Sequence, residues 1–491
     1  MKLFLHGHDY KYAAEQMLLT LYPHERPEYP EDKPRGDRAE LNLSSGEKFV
    51  TATCLLVLEG KAWHGRSAFR RELITDEISR DKLCQRAIKN AFYRAALASG
   101  HGRPAWGALT GVRPGKVFTN LMENCDAQAA MQRFITEYDV TPERAALCRD
   151  TSLVTREVAE SLDSRDICLY VGIPFCPTRC NYCSFVSQSV EKSMKLIPPF
   201  MEALIKEVDA VADTVNKLGL RVISIYMGGG TPTTLNPSQL EALCSRLEEK
   251  FDLSSLREYT VEAGRPDTIT EEKLLVLRAH GVDRVSVNPQ TMSDSVLEAI
   301  GRRHTAQDII DALALVRRVG GMAVNMDLIA GLTTDTVEGF EETLNTVLAL
   351  NPENVTVHTL SLKKGSRITL EGSAIPTDVE VGRMLDIAGE KLRSADYAPY
   401  YLYRQKFMSG GFENVGWAKR GYVNLYNVCI MEELCSIVAM GGGGSTKLVA
   451  HNGGKSIRIF APKYPMEYIN GIDKTCEAKQ GIIDFYNGQE D

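Results

Sequence analysis

An α/β fold is what this sequence predicts: a partial (β/α)6 barrel of parallel strands, an α+β domain before it and a mostly helical, mixed domain after it. Three observations carry the expectation. Between about 165 and 361, short β-branched runs alternate with helical patterns, the signature of βα units. Residues 1–160 lack that alternation. After residue 371, aromatic residues crowd a short span.

Taken in order, residues 2–7 read as a strand, 10–21 as a helix and 48–58 as a strand, with helical patterns dominating 81–161. Within that region 102–116 (GRPAWGALTGVRPGK) is a turn-dense loop of the kind that often carries function, although a plain connection has the same composition. Six strand candidates follow at 168–173, 222–227, 258–263, 284–288, 323–329 and 354–360. Helical patterns at 197–218, 237–251 and 293–301 fit the crossovers between parallel strands. Beyond 371 come Tyr397, Tyr400, Tyr401, Tyr403, Phe407, Phe412 and Trp417, then the run Gly441 to Gly444, which lets a backbone approach a ligand or strand edge closely. The expected domains are therefore an accessory domain at 1–160, the barrel at 165–370 and a substrate-covering domain at 371–491.

A chain of 491 residues, 44% hydrophobic and 25% charged, has the composition of a globular protein with roughly three domains. Its net charge of -7 and lack of basic runs argue against nucleic acid as a partner. No apolar run approaches the roughly 18 residues of a membrane span. The start of the chain lacks the features of a secretory signal, so a reducing cytoplasm is expected, where the 12 cysteines are available to metals.

Three of those cysteines stand out. Residues 169–183 read LYVGIPFCPTRCNYC, an apolar run stopped by Pro174 that delivers Cys176, Cys180 and Cys183. Such short spacing places three soft thiolates around one object, zinc or an iron-sulfur cluster. A structural zinc needs a closed four-ligand shell, and residues 150–220 contain no histidine to complete it. Cys168 is the remaining local candidate, but it lies within the strand and points across the sheet. Three ligands leave one iron of a 4Fe-4S cubane open to a small chelating molecule, an arrangement that suggests S-adenosylmethionine (SAM).

Residues 228–233 (GGGTPT) end the second strand, where glycines admit a ligand close to the backbone. In a parallel barrel this loop and the cysteine loop share one mouth. Later strand ends add Glu262, Gln290 and Asp327, and Arg302 lies one helix beyond Gln290. Each also has an ordinary use as a helix cap or solvated charge. Asp327 is the hardest to explain that way, because a carboxylate in so apolar a run needs a partner. Arg302 could pair with a SAM carboxylate or with Glu262.

The motifs YVGIPFCPTRCNYCSF, YMGGGTPTTL, TVEAGRPDT, VSVNPQT, GRRHT, NMDLIAGL and YLYRQKFMSGGFENVGW resemble the radical SAM family of oxygen-independent coproporphyrinogen III oxidases over about 165–450, nearest its coproporphyrinogen dehydrogenase (HemZ) branch. The resemblance implies that Cys176, Cys180 and Cys183 ligate the cluster and that Tyr170 and Tyr182 border SAM. It also implies that Gly229, Gly230, Thr231, Glu262, Gln290, Arg302 and Asp327 contact SAM, with no catalytic residue beyond cluster and SAM. Two positions depart from the best-characterised oxidases: Phe185 replaces a further cysteine, as in the related haem-chaperone branch, and Gly172 replaces a histidine.

The implied activity is oxidative decarboxylation of coproporphyrinogen III propionates to vinyl groups, giving protoporphyrinogen IX. The alternatives are a haem chaperone and a radical SAM methyltransferase or haem-modifying enzyme. The expected partners are a tetrapyrrole and an electron donor such as flavodoxin or ferredoxin. Propionates need cations, and the candidates are Arg265, Arg303, Lys363, Lys364, Arg404 and Lys406.

Overall fold

The computed structural model describes residues 1–31, 35–111, 113–183, 188–361, 375–405, 409–450 and 455–488. The chain divides into two compact units, one formed by Met1–Arg149 with Arg404–Phe412 and the other by Asp150–Tyr403 with Glu413–Asp491.

The first unit is built on the sheet β1 (Lys2–His6), β2 (Arg38–Ser45), β3 (Phe49–Leu58) and β4 (Lys61–Arg70), in that order. β1 pairs with β2 in parallel, and the remaining pairs are antiparallel. Along β3, Val50, Ala52, Cys54 and Leu56 alternate inward, as a strand with one buried face requires. They meet the apolar faces of helices Lys11–Leu21 and Glu77–Ala98. The second helix starts at a capping box in which Asp76 and Ser79 satisfy each other's backbone N–H groups.

The second unit contains β5 (Asp166–Ile173), β6 (Phe175–Cys176), β7 (Gln188–Ser189), β8 (Arg221–Gly229), β9 (Glu258–Glu262), β10 (Arg284–Ser286), β11 (Ala323–Ala330) and β12 (Asn354–Thr359). It continues with β13 (Ala398–Arg404), β14 (Glu413–Ala418), β15 (Ser436–Gly441), β16 (Ser445–Leu448) and β17 (Ile457–Phe460). The six expected barrel strands β5, β8, β9, β10, β11 and β12 lie side by side and parallel. β5 is buried along nearly its whole length, because helices cover both faces of such a sheet. Helices Ile197–Lys217, Pro237–Lys250, Glu271–Ala279, Ala306–Val319 and Val337–Leu350 make the crossovers.

The chain after the barrel extends this same sheet. β14 pairs antiparallel with β12 and β13 lies beyond it at the sheet edge, while β15 adds a parallel strand beside β5, followed by antiparallel β16 and β17. Gly172 is explained here. It pairs with Gly441, and a Cβ at Gly172 would sit 2.8 Å from the Gly442 carbonyl oxygen, so the glycine run approaches a strand that tolerates no side chain. No helix among the described residues is long and apolar enough to cross a membrane.

Candidate active site

β5 ends at Ile173, and after Pro174 the chain enters β6 and the loop carrying Cys176, Cys180 and Cys183. The loop is anchored across the barrel: Asn181 donates its backbone N–H to Ile300 O at 3.0 Å and its side-chain amide to Ala299 O at 3.2 Å. All three cysteines are reduced and partly exposed.

The glycine loop is bonded directly to the strand that delivers Cys176. Gly230 N–H donates to Ile173 O at 2.8 Å, Thr231 N–H to Phe175 O at 2.7 Å, and the Thr231 hydroxyl approaches Cys176 Sγ at 3.6 Å. A Cβ on Gly230 would lie 2.4 Å from Phe175 O and 2.8 Å from Ile173 O, so only glycine allows this approach. Beside Gly229 lies the Tyr170 hydroxyl. The Tyr170 ring stacks on Tyr226 and Tyr426 in the interior.

Glu262 closes β9, and its Oε1 accepts the Tyr226 hydroxyl at 2.6 Å. Burial pushes the Glu262 carboxyl up to about 7, and the nearby Asp327 charge adds to this against the opposing hydrogen bond from Tyr226. Asp327, on β11, accepts from Asn325 Nδ2 at 2.8 Å and faces His358 Nε2 at 3.8 Å. Burial works to raise its pKa, but His358, Asn325 and Thr356 outweigh it and hold the carboxyl below its usual range. The two carboxyls, one closing β9 and the other within β11, are thus driven in opposite directions.

Arg302 spans the ends of β9 and β10. Its Nη1 donates to Asn288 O at 2.7 Å and Gly264 O at 3.4 Å, and its Nη2 to the Tyr182 hydroxyl at 3.1 Å, while its Nε has no hydrogen-bond partner among the described residues. It is therefore an interior strut rather than a solvated helix end, and its bonds go to these groups rather than to Glu262. Tyr182 rests on the apolar cluster of Val296, Leu297, Ile300, Ile329, Leu332 and Leu360. Gln290 acts through its backbone: at φ 67° it donates N–H to Asp327 O and accepts from Ile329 N–H, bridging to β11 beyond the end of β10.

Two of the cations expected to face propionates are committed elsewhere. Arg265 is 3% exposed, and its Nη1 donates to Thr178 Oγ1 at 3.1 Å and reaches Cys180 Sγ at 3.9 Å, so it braces the cysteine loop. Arg404 is 8% exposed, donates to Leu109 O at 2.6 Å and Gly411 O at 2.8 Å, and lies over the Trp106 ring. Arg303 is exposed. Lys363, Lys364, Lys406 and Phe185 lie outside the described residues.

His304 escaped the sequence reading although GRRHT contains it. It is 5% exposed, neither ring nitrogen is hydrogen-bonded among the described residues, and burial, then Arg302 and Arg265, push its pKa down to about 3. A neutral imidazole with an unused N–H, the unpartnered Arg302 Nε and the side-chain-free glycine loop all fit a polar ligand beside the cysteine loop.

Comparison with known proteins agrees. The Radical SAM superfamily profile matches residues 170–347. The oxygen-independent coproporphyrinogen-III oxidase-like protein HemZ of Bacillus subtilis is 37% identical over 382 residues, covering 76% of each chain. The heme chaperone HemW of the same organism is 31% identical over 50% of this chain and 64% of its own. The solved Escherichia coli coproporphyrinogen III oxidase HemN, a radical SAM enzyme, shares the fold with a TM-score of 0.52 at 22% identity, covering 66% of this chain and 73% of its own. The chain belongs to the radical SAM superfamily, which uses a 4Fe-4S cluster and SAM, and within it to the family of the oxygen-independent coproporphyrinogen-III oxidase-like protein HemZ.

Proposed function

We propose that this chain is a radical SAM oxidoreductase that converts propionate side chains of coproporphyrinogen III to vinyl groups without oxygen, yielding protoporphyrinogen IX. The observation that carries the reading is the pairing of Gly230 and Thr231 with Ile173 and Phe175, which makes cysteine loop and glycine loop one continuous surface in a chain similar to HemZ over 76% of its length. Cys176, Cys180 and Cys183 would hold the cluster. When bound, cluster and SAM supply one-electron sulfonium cleavage and hydrogen-atom abstraction.

The chain's own residues bind and orient. Glu262 and Asp327 offer carboxylates to an ammonium group, and Arg302 and His304 offer N–H donors to a carboxylate. The Tyr170, Tyr226 and Tyr426 stack keeps water from the barrel interior. Each propionate conversion removes a hydrogen atom from the β-carbon, carbon dioxide and one electron; a flavodoxin or ferredoxin would reduce the cluster.

Haem binding without turnover is the second reading. It is favoured by the likeness to HemW and by Arg404 being engaged with main-chain carbonyls. Anaerobic incubation with SAM, reductant and coproporphyrinogen III, followed by mass analysis, separates the two. Loss of carbon dioxide and formation of vinyl products supports decarboxylation; tight haem binding with an unchanged tetracarboxylate overturns it.

A further inference from the structure

A second set of cysteines converges away from the cysteine loop. Cys168 is on β5, Cys429 in helix Leu425–Glu432 and Cys435 just before β15. β15 pairs with β5 so that Ile437 faces Cys168, which puts Cys435, two residues earlier, on the same side of the sheet. The helix covers that side, and the three residues share one core cluster with Ile223, Tyr426 and Ile437. Cys168 and Cys429 are 0% exposed and Cys435 is 2% exposed.

The sulfurs lie within 4.8 Å of one another, with Cys168 Sγ and Cys435 Sγ 3.7 Å apart. A buried cysteine is by itself an ordinary small apolar residue. Apolar packing, however, does not require three thiols from separate elements to meet at one point. A disulfide needs about 2.05 Å between sulfurs, far less than is found here. Thiolates bound to one ion at about 2.3 Å in tetrahedral geometry sit about 3.8 Å apart, which matches. Among the described residues no histidine or carboxylate joins the set.

We propose that Cys168, Cys429 and Cys435 form a buried three-thiolate site for a single soft, thiophilic d10 metal ion of the Zn2+ or Cu+ kind, clipping helix Leu425–Glu432 to β5 and β15. It is separate from the radical SAM cluster, whose ligands must spread over several irons. Binding displaces the thiol protons to solvent and involves no redox step.

The test uses the full chain. The triple variant C176A/C180A/C183A removes the loop thiols, and Zn2+, Cu+ and Cd2+ are titrated anaerobically, Cd2+ serving as an absorbance probe of thiolate ligation. One equivalent of at least one ion is expected, with three sulfurs at about 2.3 Å by X-ray absorption of the zinc form. Adding Cys435→Ser should weaken binding by at least about a hundredfold, since even outer-shell changes cost 10–100-fold. Adding Cys125→Ser should change nothing. In the otherwise wild-type chain, Cys435→Ser should keep the cluster's iron and SAM binding, showing that the fold survives. If that variant does not fold, the wild-type chain decides: no bound ion beyond iron with every thiol reduced overturns the site. So does a Cys168–Cys435 disulfide in the freshly isolated protein.

Discussion

Glu262 and Asp327 are two neighbouring carboxyls whose surroundings pull their pKa values in opposite directions. A carboxyl raised from 4.5 to about 7 keeps, in the folded chain, a proton that the unfolded chain releases. The Glu262 contribution to stability is therefore largest below about pH 4.5 and falls as pH rises towards 7. If Glu262 must ionise to receive the SAM ammonium, SAM affinity should follow its ionised fraction and fall about tenfold from pH 8 to pH 6. Glu262→Gln should bind SAM more weakly but without this pH dependence; an unchanged pH profile in the variant would remove Glu262 from the pocket. The cysteines admit a simpler prediction. Cys176→Ala, Cys180→Ala and Cys183→Ala should each lose SAM cleavage and most cluster iron and sulfide, and retention of all three by every variant would refute the ligand assignment. At this scale sequence was legible where spacing along the chain sets position, as for the three thiols of one loop. It could not show that Arg265 turns to Thr178 and Cys180, or that Gln290 works through its backbone. Both depend on tertiary neighbours.

Among the elements, the glycine loop after β8 is the joint between cofactor surface and scaffold. Gly230→Ala would drive a Cβ into two main-chain oxygens, which cannot move aside as a side chain could. The expected cost is about 1–3 kcal/mol of stability, together with loss of SAM binding measured by titration. Gly102→Ala, where nothing lies within 4 Å of the added carbon, should leave both unchanged. Equal behaviour of the two variants would mean that the loop tolerates displacement. The six barrel strands were legible because each is an apolar, β-branched run between helical patterns. β10 ends at Ser286, earlier than its apolar run, because Asn288 turns its side chain to Asp327 N–H and its carbonyl to Arg302. β2 and β4 were not legible: one face of each is polar and solvent-facing, and β4 buries small Gly65 and Ser67. β15 was missed since a six-residue apolar run fits a buried helix as well as a strand.

For the whole molecule, an acidic chain proposed to bind a tetracarboxylate must place its few available cations well, and the structure narrows the choice. Sequence offered Arg404 as a docking residue because it lies in the expected C-terminal cover of the barrel mouth. Whether an arginine is available, however, depends on carbonyls contributed from far along the chain. Leu109 O belongs to the turn-dense loop 102–116, so this loop acquires at least one structural task, holding a buried guanidinium over Trp106. Replacing Arg404 by Gln should therefore leave buried carbonyls underserved, costing on the order of 1.5–3 kcal/mol for a hydrogen bond to a charged group, and should lower Tm. The remaining folded enzyme should show an unchanged KM for coproporphyrinogen III. Arg303→Gln makes the complementary case, because its side chain is exposed: KM should rise if that arginine meets a propionate. An Arg404→Gln variant with wild-type Tm and a raised KM would reverse the assignment and return Arg404 to the substrate.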